Sequence, residues 1–147
     1  MTPDALIPLE TSFQEIADLF ERYSVALADA SLVTQSADGR YVDAYTAGFL
    51  LAKIAVRAAG YRVKGGDNHR DTISSLRWVI GSAVQPSADA LDSARKRRNA
   101  DLYDGAGLVS DVDVGALLRR VATLEGVVRD WLTEKHPELV SAGRPPA

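Results

Sequence analysis

The residues best suited to chemistry lie in one short stretch, Arg95–Tyr103, which is predicted to be helical. Arg95, Asn99 and Tyr103 are spaced four residues apart, so on a helix they lie along one side. Arg98 neighbours that side. Arginine can bind a phosphate through two parallel hydrogen bonds, and asparagine can donate to and accept from a ribose hydroxyl. The spacing therefore indicates a site for a nucleotide or RNA.

The same stretch also has a purely structural interpretation. Asp92 with Lys96, and Arg97 with Asp101, are four residues apart and can form ion pairs along an exposed helix face. Runs of charge are usually solvated, and Tyr103 could simply pack its ring at the helix end. On this alternative the ridge is a solvated face or an oligomer contact without a ligand.

Three residues elsewhere are candidates for binding substrate. His69 follows a glycine-containing loop and either caps a helix or reaches the site as a group that titrates near neutral pH. Asp43 either favours the start of a helix through the helix dipole or orients an arginine of the ridge. Lys53 interrupts an apolar helix, so its amine either extends to solvent or points into the site. His69 and His136 are too far apart to suggest a metal site.

Composition narrows the classes of protein that the chain can belong to. The 147 residues include 46% hydrophobic and 25% charged residues, which is typical of one globular domain. The absence of cysteine excludes disulfides and thiolate metal sites, and we predict neither a metal nor another cofactor. A net charge of −3 argues against broad, charge-driven binding of nucleic acid but allows a local basic site.

The elements that must position the site are predicted to be helices. Ser12 with Glu15, and Ser110 with Asp113, resemble capping boxes at helix starts. Between them, apolar residues recur every three or four positions in three further segments, one of them apolar on nearly all sides and therefore central. No strand pattern is evident. We predict an all-α, up-and-down bundle of four main helices plus a short additional helix.

The predicted helices occupy residues 11–135 as a single domain. Residues 1–10 contain two prolines and are predicted to be a flexible arm, and residues 136–147 a disordered tail. The fourth helix is expected to begin with Ser87 as its N-cap and to end before Gly105. No segment is apolar over a length that spans a bilayer, and the N-terminus does not resemble a signal peptide. We therefore expect a cytoplasmic protein.

Two parts of the sequence resemble HEPN domains. The signature helix of that family carries Arg, then a polar residue that is often Asn, then a His, and Arg98–Tyr103 is similar with Tyr103 in the His position. Together with Arg95 and Asp104 it resembles a recurrent variant, R-x-x-R-N-x-x-x-Y-D. A second match begins at Tyr41 and continues to His69. The resemblance covers about residues 40–104.

The resemblance implies a HEPN-like helical bundle and a function. Many HEPN proteins are metal-independent endoribonucleases, often prokaryotic toxins of toxin–antitoxin or defence systems, and they usually form homodimers. It implies that Arg98 binds the phosphate, Asn99 positions the ribose and Tyr103 takes the proton-transfer position. Some members pair with a small nucleotidyltransferase antitoxin. The alternative is a module that binds a nucleotide, RNA or protein without catalysis.

Overall fold

The computed structural model describes residues 1–66, 68–104 and 109–141, and only the backbone of residues 100–104 and 141. Within these residues the chain is mainly helical, which confirms the predicted all-α bundle. The helices are α1 (Phe13–Ala30), α2 (Ala37–Ala58), α3 (His69–Val79), α4 (Gln85–Asp104), α5 (Asp111–Lys135) and α6 (Glu138–Ser141). The four longest are α1, α2, α4 and α5, and the 11-residue α3 is the short additional helix.

Helix α2 is the centre of the bundle, as its all-round apolar pattern predicted. It contacts α1, α3, α4 and α5. Tyr45 and Ile54 have no exposed surface, although their nine-residue spacing puts them on opposite sides of the helix. Burial of apolar surface on every side is the main favourable contribution to such a fold, so the other elements are positioned by what they contact on α2.

Side-chain caps begin most of the helices, with two departures from the sequence prediction. Ser110 and Asp113 form the predicted capping box of α5. Ser12 caps α1 by accepting from the Glu15 amide, but the Glu15 carboxylate binds elsewhere and the box is not reciprocal. Ser87, predicted as an N-cap, is buried inside α4, because a 3₁₀ turn leads directly into a helix that begins at Gln85.

The predicted N-terminal arm is partly ordered as a strand. Strand β1 (Leu6–Pro8) pairs antiparallel with β2 (Tyr61–Val63), and Leu6 lies opposite Val63. Leu6 and Val63 are both buried and pack together with Val56. Three-residue strands are too short to show the alternation that identifies strands in a sequence. The predictions of a flexible arm and of a chain without strands were therefore wrong for these residues.

Arg57 joins the N-terminal segment to α2. Its side chain is almost completely buried, and it donates from Nη1 to the carbonyls of Leu9 and Tyr61 at 2.9 and 2.7 Å. Nη2 donates to the carbonyl of Glu10, and Nε and Nη2 together hold the Glu15 carboxylate at 2.9 and 2.8 Å. A buried guanidinium is tolerated only when it is paired in this way.

The C-terminal region is ordered further than expected. Leu139 of α6 is buried, and α6 contacts both α1 and α5. The predicted disordered tail therefore does not begin at residue 136; residues 142–147 lie outside the described part of the chain. No helix in the described residues is both long and apolar enough to cross a membrane.

Gly48 of α2 packs directly against Leu91 of α4. A Cβ atom there would lie 2.4 Å from Cδ2 of Leu91, a side chain that is itself fully buried. A larger residue at position 48 would therefore overlap the Leu91 side chain and force the core to repack there.

We expect Gly48→Ala to lower the free energy of unfolding by about 1–3 kcal/mol, because overpacking outweighs the gain in helix propensity. Gly126→Ala is the matched control, since a Cβ on this α5 glycine meets nothing within 4 Å. It should stabilise the protein by about 0.5–1 kcal/mol. Chemical denaturation measures both, and equal effects of the two variants would contradict a close contact at Gly48.

The Glu15–Arg57 pair should make stability depend on acid. The hydrogen bond from Arg57 lowers the pKa of Glu15 below its ordinary 4.5, against the opposing effect of burial. A carboxylate with a lowered pKa stabilises the fold above its unfolded pKa and loses that contribution as the pH falls. Glu15→Gln should therefore be less stable than wild type at pH 7, and the difference should shrink below about pH 4.5. Glu21→Gln, which removes an exposed charge from α1, should show no such convergence.

Candidate functional site

A cavity of about 370 Å³ lies between the N-terminus of α3 and the middle of α4. All six residues that line it are polar, and three of them are arginines: Asn68, His69, Arg70, Arg95, Arg98 and Asn99. The structure thus brings together four of the residues singled out in the sequence, namely Arg95, Arg98, Asn99 and His69. No negatively charged residue of the described chain lines this cavity.

His69 is held from α2 by two aromatic residues. Its ring stacks on Phe49, with 3.8 Å between the ring centroids and 8° between the planes. Nδ1 lies 2.7 Å from the hydroxyl of Tyr45. Asn68 begins α3 by accepting from the amide of Asp71, which places His69 in the first turn. The imidazole is therefore fixed at one wall of the cavity.

The Tyr45 hydroxyl is close enough to Nδ1 of His69 to donate a hydrogen bond to it. Burial raises the pKa of Tyr45 to about 12, although the positive charges of Arg98 and Arg95 act in the opposite direction. The hydroxyl therefore keeps its proton at neutral pH. Because it can donate that proton to Nδ1, the neutral imidazole is expected to carry its own proton on Nε2.

Arg98 lies next to this pair. Its guanidinium carbon is 5.5 Å from the centroid of the Tyr45 ring, within the range of a cation–π contact. No carboxylate of the described residues forms an ion pair with it. The π face holds the guanidinium without neutralising its charge, so Arg98 remains able to bind an anion.

Arg95 is more restrained than Arg98. Its Nε and Nη2 donate to Oδ1 of Asp92 at 3.1 and 3.0 Å, and Lys96 contacts the other carboxylate oxygen at 3.2 Å. Burial opposes ionisation of Asp92, but these hydrogen bonds keep its pKa below the ordinary value. The ion pair keeps Arg95 at the cavity wall with about a fifth of its side chain exposed.

The predicted ridge is present in part. Arg95 and Asn99 line the same cavity, as their four-residue spacing predicted, and Asn99 is exposed there. The backbone of Tyr103 continues α4, but its side chain lies outside the described part of the structure. The predicted break at Gly105 lies outside it as well.

Asp43 and Lys53 do not join the site. Asp43 accepts from Gln35 and lines a different groove between α1 and α2. It is two residues before Tyr45, which places it about 200° away around α2. Lys53 is two turns beyond Tyr45, about 12 Å along the helix axis, and lines a separate cavity next to Arg57. The structure does not bring these two residues together with Arg95 and Arg98.

Sequence reasoning also missed three contributors to the site. Tyr45, Phe49 and Arg70 are not among the site residues predicted from the sequence. The available signal was the four-residue spacing of Tyr45 and Phe49, which puts two aromatic rings on one side of a mostly aliphatic helix. A cluster of metal-ligating side chains is not found in the described residues.

We expect Tyr45→Phe to change the tautomer of His69. In the wild type, nitrogen NMR of the neutral imidazole should show a proton on Nε2, and loss of the hydroxyl should produce a mixture with the Nδ1-protonated form. His136, which packs against Trp131, provides an internal control whose signals should not change. A wild-type ring protonated on Nδ1 would contradict the hydrogen-bond direction assigned here.

Comparison with known proteins gives no match. No protein-family model, curated protein or solved structure is similar enough to this chain to be matched. The functional argument therefore depends on the residues of the cavity themselves and on the resemblance of the sequence motif.

Proposed function

We propose that the cavity between α3 and α4 binds a phosphate group of RNA and that the protein is a HEPN-like, metal-independent endoribonuclease. The observation that carries the proposal is that Arg98, held on a π face without a carboxylate partner among the described residues, lines the same cavity as His69. The first residue supplies charge for a phosphate, and the second belongs to the residue type most often used for proton transfer.

The cavity offers several donors to a phosphate. Arg98 can bind two phosphate oxygens through its planar guanidinium. Arg95 adds positive potential, and Asn99 can position a ribose hydroxyl. The N-terminus of α3 also attracts a phosphate, because the first amides of a helix have no partner within the helix and favour anions. These groups act as one anion site formed by two helices.

Cleavage would proceed without a metal, by attack of the ribose 2′-hydroxyl on the adjacent phosphate. The ribose 2′-oxygen attacks phosphorus and loses its proton to a base, while the bond to the 5′-oxygen breaks and that oxygen receives a proton from an acid. The products are a 2′,3′-cyclic phosphate and a 5′-hydroxyl. His69 transfers a proton, and the Tyr45 hydroxyl can donate to or accept from Nδ1 and so supports the ring in either protonation state. Tyr103 keeps its proposed place in the site through its motif position.

The resemblance extends the proposal to the biological setting. We infer a homodimer in which two motif helices meet, a toxin role in a prokaryotic toxin–antitoxin or defence system, a cytoplasmic location and a cognate nucleotidyltransferase antitoxin. These inferences depend on the motif Arg95–Asp104 and not on any contact described above.

A second candidate is a module that binds a nucleotide or RNA without cleaving it. It is favoured by the presence of Tyr103 in the position where the motif usually has a histidine, since tyrosine has an ordinary pKa of about 10 and is a poor base at neutral pH. It uses the same cavity, so only an assay of cleavage separates it from the first candidate.

Arg98→Ala should reduce RNA cleavage by about 100- to 1,000-fold, because a charge that stabilises the transition state is lost. The assay uses total RNA in the presence of EDTA. Arg120→Ala, which removes an exposed arginine from α5, is the matched control and should cleave at the wild-type rate. Metal-independent cleavage by wild type and control, lost in Arg98→Ala, supports the enzyme.

Other outcomes favour other conclusions. If RNA stays intact but a nucleotide raises the melting temperature of wild type and not of Arg98→Ala, the protein is the binding module. Cleavage that is equal in all three proteins would show that the arginine has no part in it and would contradict the proposal.

A further inference from the structure

A second, smaller cavity of about 180 Å³ continues the groove between α3 and α4. Arg70 lines both cavities, so the two are neighbours along one groove. Ile73 and Ala88 also line the second cavity and are almost fully buried, so they give it an apolar floor. A flat, largely apolar ring could lie on such a floor while a phosphate attached to it occupies the cationic cavity.

The second cavity, unlike the first, is lined by carboxylates. Asp89 and Asp92 line it, and Asp92 is already bound by Arg95 and Lys96. The Asp89 carboxylate can accept further hydrogen bonds. Its Oδ1 accepts from Nε2 of Gln85 at 2.7 Å, and its Oδ2 accepts no hydrogen bond from the described residues. The groove therefore offers cations at one end and a carboxylate acceptor at the other.

We propose, on the basis of the proposed function, that the second cavity is a base subsite for a guanine nucleotide. A ligand that suits the groove carries an anion at one end and hydrogen-bond donors at the other. Guanine presents two adjacent donors, N1–H and the 2-amino group, which match the two oxygens of a carboxylate. Uracil offers one donor, and adenine and cytosine offer an amino group without an adjacent ring N–H.

The residues of the groove then have distinct roles. The Gln85 amide orients the Asp89 carboxylate, and Ile73 and Ala88 contact the face of the base. Arg70 is mostly exposed and lies between the cavities, where its guanidinium can stack on the base or contact the phosphate. In single-stranded RNA, bases are recognised through just this combination of stacking and hydrogen bonds to the Watson–Crick edge.

Binding of small ligands tests the subsite independently of cleavage. Calorimetry measures the affinity for each ligand in a separate titration. The ligands are the 3′- and 5′-monophosphates of guanosine, adenosine, cytidine and uridine, and ribose 5-phosphate, which has no base. Wild type should bind a guanosine monophosphate about tenfold more tightly than the uridine compound. Asp89→Asn should abolish the preference, since the new amide places a donor against the donors of guanine, and should leave the affinity for ribose 5-phosphate unchanged.

Asp130→Asn is the control, because it removes one exposed carboxylate from α5 without touching the groove. It should retain the guanine preference. Equal affinities for all four bases, or a guanine preference that persists in Asp89→Asn, would overturn the subsite even if ribose 5-phosphate binds.

The outcomes distinguish the subsite from the proposed function. Guanine-selective binding with RNA left intact supports the subsite and refutes cleavage. RNA cleavage without a preference for sites beside guanine supports the proposed function and refutes the subsite. If neither ribose 5-phosphate nor any nucleotide binds, both the phosphate site and the subsite are wrong. If the protein cuts RNA beside guanine but binds mononucleotides only weakly, the subsite is supported and its ligand is RNA, not a free nucleotide.

Discussion

The candidate site depends on the close contact between α2 and α4 at Gly48. Because this position has no side chain, the buried Leu91 fills the space where a Cβ would otherwise be. Arg98 lies two turns after Leu91 on α4, and Tyr45 lies one turn before Gly48 on α2. The close packing of the two helices puts the guanidinium of Arg98 over the ring of Tyr45. A cation–π contact is short-ranged, so the distance set at Gly48 decides whether the charged face of α4 reaches the aromatic residues of α2 at all.

Arg57 of α2 and Arg98 of α4 show how burial and hydrogen-bond partners decide whether an arginine has a structural or a binding role. Arg57 uses its donors on three backbone carbonyls and one carboxylate, and is almost fully buried. Nothing remains with which it could bind a ligand. Arg98 has a ring as its neighbour, which stabilises a cation but takes none of its hydrogen bonds. The same residue type therefore joins chain segments in one place and provides an anion site in the other.

Local physics made the helices predictable. The 3.6-residue period and the Ser110–Asp113 cap require only neighbours in sequence. Glu15 shows where this fails: its spacing from Ser12 suits a capping box, but Arg57, 42 residues away, binds the carboxylate more strongly. The short sheet likewise depends on a pairing between residues 6–8 and 61–63, which neither segment reveals alone.

The site was predictable to the same extent. That Arg95 and Asn99 share a side of a helix follows from their spacing, but that His69 joins them does not, because it depends on the stacking of its ring on Phe49. The excess of acidic residues then limits what the cavity can bind. With a net charge of −3, long-range attraction to a polyanion is weak, so affinity must come from the few cations of the groove. Such a site gains from one or two phosphates at most, and selectivity must arise from what lies beside them in the groove.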